Sequence, residues 1–375
     1  MTPGPSAESL LPFVSVIIPM RNEQAWIERC LGSVLAQDYP ADRMEVLVTD
    51  GMSTDSSPQM LADLAERDPR VKVLANPGLI VPTGLNLAIA AARGDVIARI
   101  DAHTMIEPDY LRRGIEILER TGASNVGGPM ICRGGSPVGD AIARAMASRF
   151  GIGATFHFAT GEVECDTVYM GMWPRRVFEE VGLFDEEFVR NQDDELSYRI
   201  RKAGGRIVVS PAMRSIYQNR ESWKALASQF RQYGVWKVRV LQKHPRQMSI
   251  RHFIPPIFQA GVAWLLVTGI ALWRPALWIG LAAVASYAGL IVVVAAAGAR
   301  DLAARARLWL ALVLIHQSWA AGFLVGLVTF AGRWGETGES ARRLPRSFRK
   351  AAGIRAGMSG QLSSDPSNDA GECSR

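Results

Sequence analysis

Short apolar runs alternate with amphipathic stretches through the first part of the chain. The runs VSVIIP, MEVLVTD, VKVLAN and DVIARID are typical of buried β-strands. The stretches between them, residues 22–37, 54–67 and 82–94, have the apolar spacing of helices. Strands separated by helices of roughly 10 to 15 residues predict βαβ units and a mainly parallel sheet flanked by helices. The pattern therefore predicts an α/β, nucleotide-binding class of architecture.

The middle of the chain is less regular. Residues 125–170 are rich in glycine, with an amphipathic helix predicted around residues 138–150. From Gly171 onward the pattern predicts a short turn, a helix, an acidic turn, a second helix and a strand. We expect substrate specificity to lie in residues 125–169.

The last third of the chain contains uncharged apolar stretches. They run from about Ile254 to Trp273, Ala276 to Gly298 and Leu308 to Ala331. Each could cross a hydrocarbon layer of about 30 Å as a helix, which takes roughly 20 residues. The predicted organisation is a flexible N-terminus (1–12), a water-soluble head (13–245), a basic juxtamembrane segment (246–253), about three transmembrane helices (254–332) and a basic, then disordered, tail (333–375).

The side of the membrane on which the tail lies stays open. Three spans with a cytoplasmic head place the C-terminus outside, whereas the basic residues after the third span predict a cytoplasmic tail. The short link at Arg274 and Pro275 allows a tight or re-entrant hairpin instead of two full spans. His316 and Gln317, within the third stretch, are predicted to make interhelical hydrogen bonds.

Composition narrows the class of protein. The 375 residues include 42 Lys and Arg against 36 Asp and Glu, and 48% are hydrophobic, which excludes a disordered protein and an ordinary wholly soluble enzyme. The four cysteines form no CxxC pair, so we expect reduced thiols rather than a zinc or redox site. The N-terminus lacks a basic stretch followed by an apolar one, which predicts a cytoplasmic head on a multi-pass plasma-membrane protein.

Polar side chains follow the predicted strands. Ligands of parallel sheets collect at the carboxyl ends of strands. The candidates are Pro19, Asn22 and Glu23 after the first strand, Asp50 and Ser53 after the second, and Asp101 and His103 after the fourth. Helix capping is an alternative explanation for Asn22. It explains Asp50 and Asp101 less well, because a carboxylate that ends a buried strand needs a partner.

Two groups of acids suggest chemistry. Asp101 and His103 stand two residues apart, and a carboxylate with an imidazole suits Mn²⁺, with Mg²⁺ possible through the carboxylate. Asp193, Asp194 and Glu195 open a predicted helix, where acids also complement the helix dipole. One of them could act as a general base for an acceptor hydroxyl, and spacing alone leaves Asp193 and Asp194 as alternatives.

A basic and aromatic stretch, ASQFRQYGVWKVRVLQKHPRQMSIRH, precedes the first membrane segment. It is most simply an interfacial amphipathic helix attracted to anionic lipid. Part of it could instead face the active site and contact a diphosphate. Nucleic-acid binding is disfavoured because a membrane segment follows at once.

These motifs together resemble family 2 glycosyltransferases, which have the GT-A fold. The resemblance rests on VSVIIPMRNE, VLVTDGMSTDSS, IDAH, GMWPRRVFEEVGLFDE, NQDDELSYR and QFRQYGVWK, and covers about Phe13 to Pro245. Within the family the chain is most similar to membrane-anchored succinoglycan-type exopolysaccharide enzymes, whose metal motif is also written DAH.

The resemblance implies roles for individual residues. Those implied for nucleotide-sugar binding are Pro19, Asn22, Glu23, Asp50, Ser53 and Asp101. Those implied for the metal, Mn²⁺ or Mg²⁺, are Asp101 and His103. Leu196 fixes the register of the ED-x-x-L pattern, so that Asp193 is the implied base. Those implied for the acceptor or diphosphate region are Gly171, Trp173, Gln229, Arg231 and Trp236.

Three features depart from the family pattern. Gln192 replaces the usual Glu of the ED pair, which puts acceptor positioning in question, and His103 replaces the final Asp of DxD, which does the same for metal preference. QFRQYGVWK is a loose version of the QxxRW motif of processive synthases. The resemblance therefore implies transfer of one sugar per acceptor.

The implied activity is an inverting transfer of a sugar from a nucleotide-diphosphate sugar, a UDP-sugar foremost. The implied acceptor is lipid-linked or a polysaccharide, at the cytoplasmic face, in exopolysaccharide or cell-envelope glycan synthesis. A sugar nucleotidyltransferase is one alternative, but it needs a glycine-rich loop that PMRNEQAW lacks. A catalytically degenerate membrane scaffold is another, and it predicts missing acids at the metal or base positions.

Overall fold

The computed structural model describes residues 11–153, 155–157 and 159–336. Its strands are β1 (Val14–Met20), β2 (Met44–Asp50), β3 (Val71–Ala75), β4 (Val96–Arg99), β5 (Thr104–Ile106), β6 (Asn125–Gly128), β7 (Met130–Arg133), β8 (Val163–Glu164), β9 (Tyr169–Pro174), β10 (Ile207–Val209) and β11 (Ser215–Gln218). Its α-helices are α1 (Ile27–Leu35), α2 (Ser57–Arg67), α3 (Val81–Ala91), α4 (Tyr110–Thr121), α5 (Pro137–Met146), α6 (Arg176–Val181), α7 (Gln192–Lys202), α8 (Trp223–Lys243), α9 (Ile254–Ala271), α10 (Arg274–Gly298) and α11 (Leu302–Thr329).

Eight strands form the main sheet, in the order β3-β2-β1-β4-β9-β6-β10-β8. β1 pairs in parallel with both β2 and β4, and β2 pairs in parallel with β3, which confirms the predicted mainly parallel sheet. The register places Met20 opposite Asp50, so the ends of β1 and β2 lie side by side. The polar residues that follow these strands therefore share one edge of the sheet.

Alternation along β1 explains why helices cover both faces. Val16 and Ile18 belong to an apolar cluster on one face, with residues of α1 and α4, whereas Ile17 belongs to a second cluster on the other face, with residues of α3. Successive side chains of a strand point to opposite faces, so a continuous apolar run is buried on both sides. The apolar composition of β1 thus requires a layer of helix above and below it.

The segment GMWP is a strand rather than the predicted turn. β9 enters the main sheet antiparallel to both β4 and β6. Gly171, with φ of 122°, permits this path, because a Cβ there would overlap the indole of Trp173. Gly171 therefore lies inside a buried strand, and Pro174 is the last residue of that strand.

Three further strands form a small sheet beside the first, in the order β5-β11-β7. β5 follows the site residues after β4, and it pairs antiparallel with β11. This second sheet therefore backs the loop that contains Asp101 and His103.

Glu45 of β2 is a buried carboxylate in the head, 1% exposed. It accepts hydrogen bonds from Ser15 Oγ (2.7 Å) and the Arg93 amide (2.7 Å), and it pairs with Lys72 Nζ (3.0 Å). Burial alone would raise the pKa of Glu45, but these donors outweigh it and lower the pKa to about 2. The ionised Glu45 carboxylate therefore connects β1, β2, β3 and the loop before β4 through hydrogen bonds and an ion pair.

Three helices are long and apolar enough to cross a membrane. α9 has 18 residues, α10 has 25 and α11 has 28, which correspond to about 27, 38 and 42 Å. A two-residue link, Leu272 and Trp273, joins α9 to α10 as a tight hairpin. The expected interhelical hydrogen bonds are present: Tyr287 Oη lies 3.0 Å from His316 Nδ1, and Gln259 donates to Gln317 at 3.0 Å.

α8 packs along α11 and joins the head to the membrane helices. The two backbones come into direct contact, since a Cβ on Gly234 of α8 would overlap the carbonyl oxygen of Trp319. A Cβ on Gly322 of α11 would likewise overlap the carbonyl oxygen of Arg231. Small residues that let helices approach closely are typical of membrane packing.

The three cysteines in the described range, Cys30, Cys132 and Cys165, are free thiols. Cys373, residues 1–10 of the predicted flexible N-terminus and residues 337–375 of the predicted tail lie outside the described residues.

Candidate active site

The loops after β1 and β2 are joined by a polar network. Asp50 Oδ1 accepts hydrogen bonds from Ser53 Oγ (2.6 Å) and the Ser53 amide (3.1 Å). Ser53 Oγ in turn accepts from the Asn22 amide (2.8 Å), and Asn22 Oδ1 accepts from the Thr54 amide (2.8 Å). Asn22 has a φ of 57°, and it does not cap α1, which begins five residues later at Ile27. The structure therefore brings Asn22, Asp50 and Ser53 together, while Pro19 is buried in β1.

Arg99, the last residue of β4, underlies this edge of the sheet. Its Nε donates to Asp101 Oδ1 at 2.8 Å, and its side chain is nearly buried, with 6% of the residue exposed. Its Nη1 is buried without a hydrogen-bond partner in the described part of the chain. The guanidinium also acts electrostatically on Asp193, so it connects the two acidic groups.

Sequence reasoning missed Arg99, although a signal was present. A charged residue interrupts the otherwise apolar run VIARI and stands two positions before Asp101. A spacing of two puts both side chains on the same face of an extended segment. An arginine in a buried strand also needs an acidic partner, which the next acid in the sequence supplies.

Glu23 and His103 meet across the sheet edge. Glu23 Oε1 lies 3.0 Å from His103 Nδ1, and both side chains are 20% exposed. The imidazole packs edge-on against the ring of Tyr217, with centroids 5.1 Å apart. A carboxylate on one ring nitrogen fixes the orientation of an imidazole and presents the other nitrogen, Nε2, to a ligand.

Asp101 and His103 fit a divalent cation bound with a diphosphate. One carboxylate and one imidazole suit Mn²⁺, and such ions keep water and substrate phosphate oxygens in their remaining positions. Within the described ranges no group of three His, Cys, Asp or Glu side chains comes together. Two side chains of these types would leave the remaining coordination positions of such an ion to water and a bound diphosphate.

The first turn of α7 carries the other acids, and the structure separates their environments. Asp194 forms an ion pair with Lys237 of α8. Burial alone would raise the pKa of Asp194, but the Lys237 ammonium outweighs it and lowers that pKa. Burial raises the pKa of Asp193, with Arg99 opposing the rise and Asp194 adding to it. Two adjacent carboxyls therefore differ in proton affinity.

Glu195, the third acid of the group, has a structural role. It is fully buried and pairs with Arg199 Nε at 2.8 Å and His244 Nε2 at 2.9 Å. Arg199 also donates to the carbonyl oxygens of Val181 and Leu183. The cluster fixes α7 against the loop after α6 and against the end of α8.

The residues expected in the acceptor or diphosphate region are spread over several environments. Trp173 is 2% exposed and packs against Phe178 and Phe184, with centroids 5.6 and 6.1 Å apart, so it is a core residue. Gly171 beside it is buried in β9. The structure does not bring these two to the surface of the site, because the strand that contains them lies inside the main sheet.

The three members on α8 also differ in environment. Gln229 is buried and donates to Tyr233 Oη at 2.9 Å, while Arg231 is exposed. Trp236 packs between Phe188 and Phe330. Gln229 and Arg231 precede Lys237, the α8 residue that reaches Asp194, by about two turns of helix, and Trp236 is its neighbour in sequence.

The basic residues in the C-terminal half of α8 do not face lipid. Lys237, Arg239 and Lys243 are all buried and paired with carboxylates. Arg239 pairs with Glu187 at 2.5 Å, as does Lys243 at 2.6 Å. The position of Lys237 agrees with the other prediction for this basic and aromatic stretch, in which part of it faces the active site.

Comparison with known proteins agrees with the fold and the motifs. A model of glycosyl transferase family 2 matches residues 15–182. The succinoglycan biosynthesis protein ExoA of Rhizobium meliloti (strain 1021) is 31% identical over 335 residues, which cover 85% of this chain and 96% of that protein.

Two further similarities are more distant. A Methanococcus voltae dolichyl N-acetyl-alpha-D-glucosaminyl phosphate 3-beta-D-2,3-diacetamido-2,3-dideoxy-beta-D-glucuronosyltransferase is 28% identical over 270 residues, covering 70% of this chain and 83% of that protein. The second is the solved structure of the mannosyltransferase PcManGT from Pyrobaculum calidifontis in complex with GDP-Man and Mn²⁺. It has a TM-score of 0.52 at 21% sequence identity, and the match covers 88% of this chain and 89% of that chain. This similarity shows a shared GT-A-type fold. The chain belongs to glycosyl transferase family 2.

Proposed function

We propose that this glycosyltransferase moves one sugar from a nucleotide-diphosphate sugar to a lipid-linked or glycan acceptor, with inversion at the anomeric carbon. The observation that carries the proposal is the position of Arg99, which donates to Asp101 and acts electrostatically on Asp193. Arg99 thereby links a metal-binding edge to a carboxyl of raised pKa. Glycosyl transfer needs the metal-binding edge at the leaving diphosphate and the carboxyl at the attacking oxygen.

The nucleoside binds at the ends of β1 and β2. Asp50 is held by Ser53, and Asn22 is held by the same loop, so the polar atoms of this edge are positioned before a ligand arrives. Pro19, Glu23 and Asp101 complete the edge. The donor class is supported by the structural relative in complex with GDP-Man, and we retain a UDP-sugar as the first donor to test.

Asp101 and His103 would hold the divalent cation, Mn²⁺ or Mg²⁺, which would supply positive charge where the diphosphate departs. Glu23 orients His103 for this task through Nδ1. Arg99 holds Asp101 in place by donating to one of its oxygens. The structural relative in complex with GDP-Man and Mn²⁺ supports the use of a divalent cation.

Asp193 is the general base. It accepts the proton of the acceptor hydroxyl as that oxygen bonds to the anomeric carbon, while the bond from that carbon to the diphosphate oxygen breaks. A base is most effective when its pKa is raised toward the working pH, and burial raises the pKa of Asp193. Asp194 is occupied by Lys237, which suits it to holding α8 against the site.

The membrane helices place this chemistry beside the lipid. The head lies at the cytoplasmic face of the plasma membrane, with α9, α10 and α11 as the multi-pass anchor. A lipid-linked acceptor is supported by the Methanococcus voltae relative, whose name describes a dolichyl phosphate-linked acceptor. The product belongs to exopolysaccharide or cell-envelope glycan synthesis, as the similarity to a succinoglycan biosynthesis protein supports.

The test uses membranes that contain the full-length protein. A panel of UDP- and GDP-sugars is supplied with Mn²⁺, Mg²⁺ or EDTA, and nucleotide diphosphate release is measured. We expect consumption of one donor, its loss in EDTA, and its loss in Asp101→Asn and Asp193→Asn but not in the exposed control Asp42→Asn. Absence of turnover and of donor binding for the whole panel, with native lipid extract present, would instead favour the scaffold alternative.

A further inference from the structure

The α6–α7 loop (residues 182–191) runs along one face of α8. Its side chains meet α8 at successive positions: Asp185 with Lys243, Glu187 with Arg239, Phe188 with Trp236, Arg190 with Gln232 and Asn191 with the backbone of Tyr233. The partners on α8 recur every three or four residues, which is the spacing of one helix face. This face of α8 therefore determines the path of the loop toward the start of α7.

The ion pair of Glu187 with Arg239 lies in the middle of this contact. Arg239 is fully buried, and its Nε lies 2.5 Å from Glu187 Oε1. Lys243 Nζ lies 2.6 Å from Glu187 Oε2. Burial alone would raise the pKa of Glu187, but these two cations outweigh it and lower the pKa to about 2. Because a buried guanidinium is costly to leave unpaired, this pair fixes the loop to α8.

Asn191, the last residue of the loop, has a left-handed backbone. Its φ is 63° and its ψ is 19°, a conformation that asparagine tolerates better than most residues do. Its Nδ2 donates to the carbonyl oxygen of Tyr233 at 3.1 Å, and its own carbonyl oxygen accepts from the Glu195 amide at 3.0 Å. Such conformations persist where the surroundings fix them, and they concentrate at functional sites. Asn191 therefore connects α8 to the first turn of α7 and sets the direction in which that helix begins.

Asp193 follows Asn191 by two residues, so its position depends on that direction. Its Oδ1 accepts from the Asp194 amide at 2.9 Å, and Arg99 acts on it electrostatically. A general base must lie within hydrogen-bond reach of the proton that it accepts, and a displacement of about 1 Å can cost about 100-fold in rate. A change in the path of the loop should therefore slow the transfer step without altering the nucleotide edge at β1 and β2.

We propose that Asn191 is a positioning residue for sugar transfer, and that the ion pair of Glu187 with Arg239 holds the loop that carries it against α8. This inference rests on the proposed function, because Asn191 acts through Asp193, the proposed base. Asn191 needs no contact with the donor or the metal, whose proposed residues lie at the ends of β1, β2 and β4. Its loss therefore lowers kcat and leaves the affinity for the donor unchanged.

The experiment measures donor turnover by the full-length protein in detergent, with native lipid extract as the source of acceptor. Equilibrium dialysis gives the donor Kd and the number of donor-binding sites, and kcat is expressed per binding site. Asn191→Gly keeps the left-handed backbone and removes the side-chain amide, whereas Asn191→Ala also disfavours that backbone. The control is Gln59→Ala, which removes an exposed amide that donates to Asp63 on α2.

A second set of variants tests the ion pair. Glu187→Gln combined with Arg239→Met removes both charges, so that neither is left buried and unpaired. The matched control is Glu336→Gln, which removes the other carboxylate paired with Arg239 and leaves Glu187 in place. We expect Asn191→Ala and the double variant to lower kcat per binding site by about tenfold or more, with an unchanged donor Kd. Asn191→Gly should lose less, and both controls should keep the kcat of the wild type.

Asn191→Ala in an Asp193→Asn background separates positioning from general stability. If Asn191 acts through Asp193, the second change should reduce kcat little further, because the base is already absent. A further loss as large as that in the wild-type background would overturn the inference. So would a full kcat in Asn191→Ala while Asp193→Asn is impaired. Failure of the proposed function would look different: the wild type would neither bind nor turn over a donor, or Asp193→Asn would have a normal kcat.

Discussion

Glu23 Oε1 lies 3.0 Å from Nδ1 of His103 and joins the loop after β1 to the loop after β4. The contact spans 80 positions of sequence, yet the two loops are adjacent because β1 and β4 pair in parallel. A residue implied for nucleotide binding is thereby in contact with the imidazole proposed to hold the metal. Its charge and its geometry both bear on how that imidazole binds a cation.

Replacement of Glu23 by Gln should weaken the cation site. The amide keeps an acceptor oxygen but removes the negative charge beside the imidazole of His103, and loss of such an outer partner costs about 10- to 100-fold in metal affinity. The measurement is Mn²⁺ binding by electron paramagnetic resonance in the presence of a nucleoside diphosphate. Glu28→Gln, exposed on α1, is the control and should bind Mn²⁺ as the wild type does.

Replacement of Asp193 by Asn should lower kcat by at least about 100-fold, the lower range for loss of a general base. Donor binding should persist, because Asp193 acts on the acceptor. Asp42→Asn, on an exposed turn, is the control. An Asp193→Asn protein with normal turnover would assign the base elsewhere, and the Asp194 variant would then be the next to measure.

The pH profile of kcat should report the Asp193 carboxyl. It works deprotonated, so activity falls as pH decreases through its pKa, which burial raises above the usual value of 3.8. Asp194→Asn removes a neighbouring negative charge and leaves Lys237 to favour ionised Asp193, so the acidic limb should move to lower pH. A limb that moves to higher pH, or stays in place, would contradict this electrostatic account.

Glu45 predicts a pH-dependent stability of the head. Its folded pKa of about 2 lies below the ordinary 4.5, so its contribution is fully present above about pH 4.5 and is lost as pH falls toward 2. Glu45→Gln should therefore cost roughly 3 kcal/mol near neutral pH. Hydrogen exchange of β1 and β2 amides in the full-length protein measures this, with the exposed Glu66→Gln as control. A cost that did not shrink in acid would point to packing rather than charge.

The close contact at Gly234 should hold the head, through α8, against α11. Gly234→Val should force α8 away from α11, at a cost of about 1–3 kcal/mol typical of overpacking. Gly289→Val on α10 is the matched control, because a Cβ there meets no other atom within 4 Å. Thermal unfolding in detergent should give a lower midpoint for Gly234→Val than for Gly289→Val. Equal midpoints would contradict the prediction.

The parallel part of the fold could be predicted because it depends on local periodicity. The βαβ pattern and the rule that ligands gather at strand ends placed Asn22, Asp50, Ser53 and Asp101 on one edge, where the structure has them. The same local pattern misassigned GMWP as a turn. Its glycine is required by the indole of Trp173, whose packing against Phe178 and Phe184 is a tertiary contact that local spacing does not reveal.

The partner of Lys237 could not be read from the sequence. A basic residue on an amphipathic helix near a membrane usually faces lipid head groups. Here the helix is turned so that Lys237 reaches Asp194, 43 positions away, and which side of α8 is buried depends on α11. Spacing likewise left Asp193 and Asp194 equivalent, and the tertiary positions of Lys237 and Arg99 give the two carboxyls different environments.

The glycine contacts between α8 and α11 also fix the position of α8 along the axis of α11. Where two helix backbones touch directly, no flexible side chain lies between them to allow sliding, so the vertical position of α8 follows that of α11. In the proposed function α11 spans the bilayer, so that α8 relates the level of α11 to the first turn of α7 through Lys237. The membrane surface would then be the reference plane for the position of Asp193, the proposed base, and acceptors would be selected by the distance of their hydroxyl from the lipid.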